Sequence, residues 1–179
     1  GTNRSCRQDL EYLGIHNHIN LELIPFDLSD HVSCLGLVDA AQPNEIYNLA
    51  AQSFVGVSFS APLHTMTATG LGAVHMLEAA RKVNSKTRFY QASSSEMFGG
   101  HERERQSEST PFCPRSPYGV AKLAAHHMAR VYREAHGMHV SCGILFNHES
   151  PLRGEEFVTL KITMGMARMA RDPTAGPIY

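Results

Sequence analysis

Two short segments of the chain carry side chains that could do acid–base chemistry on an alcohol. Ser94 and Glu96 lie in a hydroxyl-rich segment, and Tyr118 is followed four residues later by Lys122. Residues i and i+4 share a helix face, so the Lys122 ammonium can lie near the Tyr118 phenol and favour its ionised form. Ionised tyrosine is a general base near neutral pH, and a carboxylate can take a carbon-bound proton or protonate a leaving hydroxyl. The four residues together indicate proton transfer coupled to loss of water.

Each segment also has an ordinary structural explanation. The pattern Tyr-x-x-x-Lys is loose, and an amphipathic helix without a catalytic role can carry it. A serine-rich turn can present Glu96 to solvent. The chemical interpretation is favoured because both segments fall where predicted elements would present them at one edge of a sheet.

Apolar segments of strand character alternate with segments of helical period. We predict strands over 21–26, 45–49, 88–92 and 139–146, and helices over 32–41, 62–83, 118–136 and 158–171. Asp30 is the expected N-cap of the first of these helices, and Ser116 and Pro117 precede the third. Strands separated by helices predict an α/β fold with a Rossmann-type, doubly wound parallel sheet, because a parallel crossover needs a connection of that length.

Polar clusters follow the predicted strands. They are Asp27 with Leu28, then residues 51–53, residues 93–96 and residues 147–149. In open α/β sheets, ligands bind outside the carboxyl ends of the strands. We therefore expect these clusters to converge on one small-molecule site.

Composition limits the other classes of function. The 179 residues carry a formal charge of −1 with mixed signs and no apolar run long enough to span a bilayer, which predicts a cytoplasmic protein without a nucleic-acid or membrane partner. The four cysteines form no Cys-x-x-Cys pair, and the histidines have no metal-ligand spacing, so we expect neither a disulfide framework nor a metal site.

A dinucleotide-binding fold needs a glycine-rich turn after its first strand. The chain has no such turn: Gly70 and Gly72 lie inside a helical pattern, with His75 where a third glycine would be required, and we interpret them as helix-packing residues. We expect the chain to be a fragment whose first βα unit is missing.

Segments 43–53, 88–96, 114–118 and 143–151 resemble those of the GDP-mannose 4,6-dehydratase family, a group of extended short-chain dehydrogenases/reductases. The resemblance extends from about residue 27 to residue 163. It implies that residues 1–150 form a partial NADP-binding Rossmann domain and that residues 151–179 begin the substrate-binding region. It further implies GDP-mannose as substrate, NADP as cofactor, a role in GDP-fucose biosynthesis, and a homodimer or homotetramer for the complete protein.

The resemblance also implies residue roles. Tyr118 would be the base at the sugar 4-hydroxyl, Glu96 the acid–base at C5 and C6, Ser94 a hydrogen-bond donor to the reacting oxygen, and Lys122 a ligand of the cofactor ribose. Asn147 and Lys161 would bind the nucleotide-sugar phosphates. The implied cofactor-binding residues are Arg4, Ser5, Asp27, Leu28, Leu49, Ala50, Ala51, Gln52, Ser53, His64, Tyr118, Lys122, His148 and Arg153.

Several positions depart from the family pattern. Ser94 replaces a threonine, His64 a tyrosine and Gly119 an alanine, while Leu152 and Leu160 replace arginines. Two alternatives stand beside the dehydratase. A sugar-nucleotide epimerase or reductase would need a hydroxyl with Tyr118 and Lys122 but not Glu96, and the missing glycine-rich turn favours a catalytically inactive fragment.

Overall fold

A three-stranded parallel sheet is the centre of the fold. In the computed structural model, which describes residues 6–100, 105–154, 157–172, 174 and 176, the strands are β1 (Glu45–Asn48), β2 (Arg88–Ser94) and β3 (Val140–Leu145). They pair in the order β1-β2-β3, with Ile46 opposite Phe89 and Phe89 opposite Val140. The predicted α/β class and parallel pairing are confirmed.

Helices precede, separate and follow these strands. They are α1 (Cys6–Tyr12), α2 (His31–Ala41), α3 (Val55–Ser60), α4 (Pro62–Thr65), a π-helix (Met66–Leu71), α5 (Gly72–Asn84), a 3₁₀ turn (Ser95–Phe98), α6 (Pro117–His136) and α7 (Val158–Arg171). The helix predicted over 62–83 is a continuous run whose middle widens into the π-helix. Helices α1 and α3 are short and were not predicted.

The chain divides into two compact units. One is residues 24–146 and contains the sheet with α2 to α6. The other is built from the described parts of 1–23 and 147–179 and contains α1 and α7. None of the helices among the described residues combines the length and the apolar character that a membrane span requires.

Side-chain caps begin α2, where the sequence predicts one, and α6, which follows Ser116 and Pro117 as predicted. Asp30 accepts hydrogen bonds from the backbone N–H groups of Val32 and Ser33 at the start of α2 (3.2 and 2.9 Å). The Ser116 hydroxyl accepts one from Gly119 N–H at 3.0 Å at the start of α6. Each cap satisfies donors that the first turn of a helix leaves without a partner, so these helices begin where the sequence predicts.

Alternate strand residues build the core of the 24–146 unit. Ile46, Phe89 and Val140 join a buried cluster with side chains of α2, α5 and α6, among them Leu77, which has no exposed surface. Because side chains of a strand alternate between its two faces, this register also determines which polar residues face the helices.

The strand predicted over 21–26 is wrong. These residues form no strand, and Leu23, Ile24 and Phe26 are 52%, 40% and 41% exposed. A strand forms only by hydrogen bonding to a neighbouring strand, and no described segment pairs with this one. Its apolar character was a real signal of strand propensity, but propensity without a partner does not make a strand.

Candidate active site

The four catalytic candidates lie on three consecutive elements of the 24–146 unit. Ser94 ends β2, Glu96 lies in the 3₁₀ turn that follows, and Tyr118 and Lys122 lie in the first two turns of α6. Helix α6 packs against both the 3₁₀ turn and β2. The structure therefore brings the four residues to the carboxyl end of β2, as the sequence predicts.

Lys122 is held against the end of β2. Its side chain is 4% exposed, and its Nζ donates a hydrogen bond to the Ala92 carbonyl at 2.9 Å. The same Nζ lies 5.8 Å from the centroid of the Tyr118 ring. Burial lowers the pKa of Lys122 from 10.5 to about 8, because the charged form loses its hydration. The ammonium is therefore still protonated near neutral pH and beside the phenol that it would activate.

A buried polar chain leads to the same carbonyl. Asn48 donates to the Gln91 side-chain oxygen at 2.9 Å, and the Gln91 amide donates to the Ala92 carbonyl at 3.1 Å. Asn48 and Gln91 are 5% and 1% exposed. The Ala92 carbonyl thus receives hydrogen bonds from Gln91 and from Lys122, which holds the ammonium at a defined point along the strand.

Sequence reasoning did not single out Asn48 or Gln91. The one available signal was a glutamine within a strand segment whose other inward residues are apolar or small. A fully buried polar side chain needs a hydrogen-bond partner, but the sequence does not say which residue provides it.

Ser94 orients the turn that carries Glu96. The Ser94 hydroxyl oxygen accepts a hydrogen bond from the Glu96 backbone N–H at 3.2 Å, and Ser94 is 9% exposed. Because the oxygen is the acceptor in this bond, the hydroxyl hydrogen remains available to donate to a substrate oxygen. The Glu96 side chain is only partly buried, at the same edge as Tyr118.

Gly119 allows the close approach between α6 and this turn. A Cβ at position 119 would lie 2.7 Å from the Glu96 carbonyl oxygen. The sequence predicts only a cost of about 1 kcal/mol in helix propensity for this glycine. The structure adds a compensating reason, since the missing methyl group is what lets the backbone beside Tyr118 reach the backbone of Glu96.

The segment after β1 lies at the same edge of the sheet. Leu49 is 64% exposed, and Ala50 and Ser53 are exposed as well. Gln52 is partly buried and hydrogen bonds to the α4 and π-helix region. His64, on α4, is exposed. Ala51 is partly buried.

Asp27 and Leu28 lie beside α2 and α5. The Asp27 carboxylate accepts hydrogen bonds from the Ser29 backbone N–H and hydroxyl at 2.8 and 2.7 Å, which lower its pKa. The Leu28 side chain packs on Gly72, where a Cβ would lie 2.5 Å from Leu28 Cγ. The interpretation of Gly72 as a packing residue is therefore confirmed. The Leu28 carbonyl also lies 3.0 Å from His75 Nδ1.

The remaining predicted site residues belong to the other unit or lie outside the described residues. Asn147, His148 and Lys161 are exposed. The Arg153 guanidinium lies 3.6 Å from the centroid of the Phe157 ring, a cation–π contact within its own unit. Arg4 and Ser5 lie outside the described residues. The roles of these six positions in ligand binding stay predictions.

A second polar pair lies between β2 and α6. Ser93 Oγ is 2.9 Å from His126 Nδ1, and Ser93 is 2% exposed. Burial, followed by the charges of His127, Arg133 and Arg130, lowers the pKa of His126. The structure therefore places His126 in the packing between β2 and α6. No group of three or more residues able to hold a metal ion occurs in the part of the chain that the structure describes.

Comparisons with known proteins agree with this geometry. The sequence profile of the family described as GDP-mannose 4,6 dehydratase matches residues 2–178. A GDP-mannose 4,6-dehydratase of Sinorhizobium fredii is 55% identical over 146 residues, which are 80% of this chain and 42% of the relative. A GDP-mannose 4,6-dehydratase of Vibrio cholerae is 48% identical over 155 residues, or 86% of this chain and 42% of the relative.

Solved structures show the same fold. The structure of RMD from Pseudomonas aeruginosa complexed with NADPH is 27% identical, with a TM-score of 0.78 over 94% of this chain and 59% of that one. A dTDP-glucose 4,6-dehydratase from Streptomyces venezuelae with NAD and TYD bound has a TM-score of 0.78 over 89% of this chain and 49% of that one; at 22% identity it supports the fold alone.

The chain spans about two fifths of the length of the curated relatives it matches. Within that span the profile covers the sheet, the Ser94 to Glu96 turn and the Tyr118 to Lys122 helix, which are the elements that the geometry brings together. The chain belongs to the GDP-mannose 4,6-dehydratase family.

Proposed function

We propose that the protein converts GDP-mannose to GDP-4-keto-6-deoxymannose and water, with NADP as a recycled cofactor. One observation carries the proposal: Ser94, Glu96, Tyr118 and a buried Lys122 gather at one edge of the sheet. Relatives with 48% and 55% sequence identity bear the name GDP-mannose 4,6-dehydratase, and a solved structure of similar fold is complexed with NADPH.

The first chemical event is proton removal from the sugar 4-hydroxyl. Tyr118 is the base, because the neighbouring Lys122 ammonium favours its phenolate form. Ser94 donates a hydrogen bond to the oxygen that becomes the ketone. Bound NADP⁺ would supply the acceptor for the C4 hydride and return that hydride to C6.

The second event is loss of water across C5 and C6. A ketone at C4 makes the C5 proton acidic, and Glu96 takes that proton and transfers it to the leaving 6-hydroxyl. When the C5–C6 double bond is reduced, C5 takes up one proton and Tyr118 releases the proton that it took from the 4-hydroxyl. The sum is loss of one water, with both side chains restored.

The residues present fit a nicotinamide dinucleotide. The segment 49–53 follows β1 and exposes Leu49, Ala50 and Ser53. The Lys122 ammonium, held at the end of the neighbouring strand β2, would contact the ribose. The exposed Asp27 carboxylate can accept a hydrogen bond from an exocyclic adenine amine. We place His64, His148 and Arg153 at the same cofactor, with Arg4 and Ser5 at the 2′-phosphate, and Asn147 and Lys161 at the substrate phosphates.

The wider assignment follows from the same proposal. Residues 1–150 form the cofactor-binding part and residues 151–179 the start of the substrate-binding part. The protein acts in the cytoplasm, in GDP-fucose biosynthesis, as a homodimer or homotetramer.

The test uses the protein expressed from its complete reading frame, incubated with NADP⁺ and a panel of nucleotide sugars. The masses of the products are determined by mass spectrometry. Loss of one water from GDP-mannose alone is the expected result. Recovery of unchanged sugars, or of isomers of equal mass, would favour an inactive relative or an epimerase instead.

Glu96→Gln separates dehydration from hydride transfer. The amide cannot accept the C5 proton, so we expect the rate of dehydration to fall by about 10²–10⁴-fold. The 4-keto sugar should still form, with reduction of bound NADP⁺. Reduction of NADP⁺, followed at 340 nm, reports that first half of the reaction. Normal dehydration by this variant would refute the role of Glu96 and bring the epimerase alternative forward.

A further inference from the structure

Gln52 connects the segment after β1 to the helical run that begins with α4. Its backbone N–H donates to the Thr69 hydroxyl at 3.1 Å, and its side-chain oxygen lies 3.1 Å from the Thr65 hydroxyl. Its side-chain amide nitrogen donates to the Phe54 carbonyl at 3.0 Å. Both polar atoms of the side chain are thus hydrogen bonded to other residues of the protein.

The helical side of this connection is buried. Thr65 and Thr69 are 0% and 2% exposed, and they are four residues apart, so they share a face of the run. Thr65 is the last residue of α4, and Thr69 lies within the π-helix Met66–Leu71. π-Helical turns widen a helix locally and are frequent at functional sites. Here the Thr69 hydroxyl of the π-helix and the Thr65 hydroxyl at the end of α4 both contact Gln52.

The loop side of the connection is exposed. Residues 49, 50 and 53 present their surface at the carboxyl end of β1, the edge at which Lys122 is also held. The Gln52 side chain is directed away from this surface and toward the helix. Loops at a sheet edge are commonly mobile, and Gln52 restrains this one through three hydrogen bonds, two of which lead to the helical run.

We propose that Gln52, Thr65 and Thr69 form a positioning device that holds the backbone of residues 49–53 in the shape that binds the nicotinamide cofactor. This inference rests on the proposed function. It assigns Gln52 a positioning role in place of the direct cofactor contact that the family resemblance implies. Binding is stronger when the loop is already ordered, because the entropy of ordering it is not lost on association.

The test compares cofactor affinity in variants of the two side chains. Gln52→Leu removes the hydrogen bonds to Thr65 and to the Phe54 carbonyl, and Thr65→Val removes the bond to Gln52 together with the local bond from the Thr65 hydroxyl to the Ala61 carbonyl at 3.0 Å. Thr65→Val and Gln52→Leu keep the side-chain volume nearly constant, and Thr65→Ser retains the hydroxyl. The dissociation constant for NADPH is measured by its fluorescence on the protein expressed from its complete reading frame. We expect Thr65→Val to weaken binding about fivefold and Gln52→Leu about tenfold, with Thr65→Ser close to wild type, given the modest net strength of a neutral hydrogen bond.

Two matched controls separate positioning from general loss of stability. Thr87 is also buried, at 1% exposed, and its hydroxyl donates to the Pro43 carbonyl at 2.9 Å before β2 begins. Thr67 lies on the π-helix itself. Thr87→Val and Thr67→Val should leave the dissociation constant for NADPH unchanged, even where Thr87→Val lowers the melting temperature as much as Thr65→Val does.

Hydrogen exchange gives a second readout that needs no cofactor. Amides of residues 49–53 should exchange faster in Thr65→Val and Gln52→Leu than in wild type, and at the wild-type rate in Thr87→Val. If Gln52→Leu and Thr65→Val bind NADPH as tightly as the controls, or if exchange is unchanged, the positioning role is overturned. A wild-type protein that binds no NADPH and yields no product would instead overturn the proposed function, and this inference with it.

Discussion

The buried Lys122 ammonium should lower the free energy of unfolding at neutral pH. This cost should disappear in alkali, where the side chain loses its charge. Its side chain is 4% exposed, and the structure places no carboxylate beside its ammonium among the partners described for it. The cost of burying this charge is therefore compensated only in part by the hydrogen bond to the Ala92 carbonyl. Replacement of Lys122 by Met retains most of the aliphatic side chain and removes the charge.

The size of the effect follows from the pKa. A shift from 10.5 to about 8 is about 2.5 pKa units, which at 1.36 kcal/mol per unit is about 3 kcal/mol. At pH 7 the ammonium is charged in both the folded and the unfolded chain, so the folded state carries the whole cost. The variant gives up one hydrogen bond of about 1 kcal/mol, and we expect Lys122→Met to be more stable by about 2 kcal/mol at pH 7.

The pH dependence has a definite sign. Between pH 8 and 10.5 the unfolded chain still binds the Lys122 proton that the folded chain has lost. The free energy of unfolding therefore rises with pH in this window for wild type relative to Lys122→Met. Urea unfolding followed by circular dichroism at pH 7, 8, 9 and 10 measures both curves, with Lys86→Met, an exposed lysine in the turn before β2, as the control.

The result that refutes this reasoning is a constant difference between wild type and Lys122→Met from pH 7 to pH 10. It would mean that the ammonium keeps its ordinary pKa and is not desolvated. A difference that Lys86→Met reproduces would likewise assign the effect to net charge. The gain in stability should be accompanied by a loss of activity. Lys122→Met should no longer catalyse dehydration, because Tyr118 loses the neighbouring positive charge.

Three further predictions follow from particular contacts. The hydrogen bond from Arg81 lowers the pKa of Glu78 to about 2, so Glu78→Gln should cost about 1 kcal/mol above pH 4.5, a difference that disappears as the pH falls toward 2 in urea unfolding series. A Cβ at position 143 would lie 2.7 Å from Cζ of Tyr90, so Gly143→Ala should destabilise by about 1–3 kcal/mol and by less in a Tyr90→Ala background. The rate of dehydration should fall as the pH rises above about 8, where Lys122 loses its proton; a pH–rate profile that stays flat to pH 10 would contradict its role.

Local signals in the sequence were sufficient for most of the fold. Strands 45–49, 88–92 and 139–146 and the helices over 118–136 and 158–171 appear within two residues of their predicted bounds. The caps of α2 and α6, Asp30 and Ser116, act on backbone N–H groups two or three residues away. Periodicity and capping depend on residues a few positions apart, so both can be recognised in the amino-acid sequence alone.

Contacts between distant residues decided the rest. The segment 21–26 has strand composition but no described partner, and only pairing makes a strand. Asn48 meets Gln91 across two strands, and Gln52 meets Thr65 and Thr69 across a loop and a helix. Nothing in the type or spacing of these residues indicates that they are partners.

The candidate site shows the same division. Ser94, Glu96, Tyr118 and Lys122 could be named from the sequence, because their chemistry and their i, i+4 spacing are visible in it. That the lysine is buried, bonded to Ala92, and has a pKa near 8 was decided by packing. The identity of a functional group is a property of its residue, whereas its charge state depends on the dielectric and the partners that the folded chain places around it.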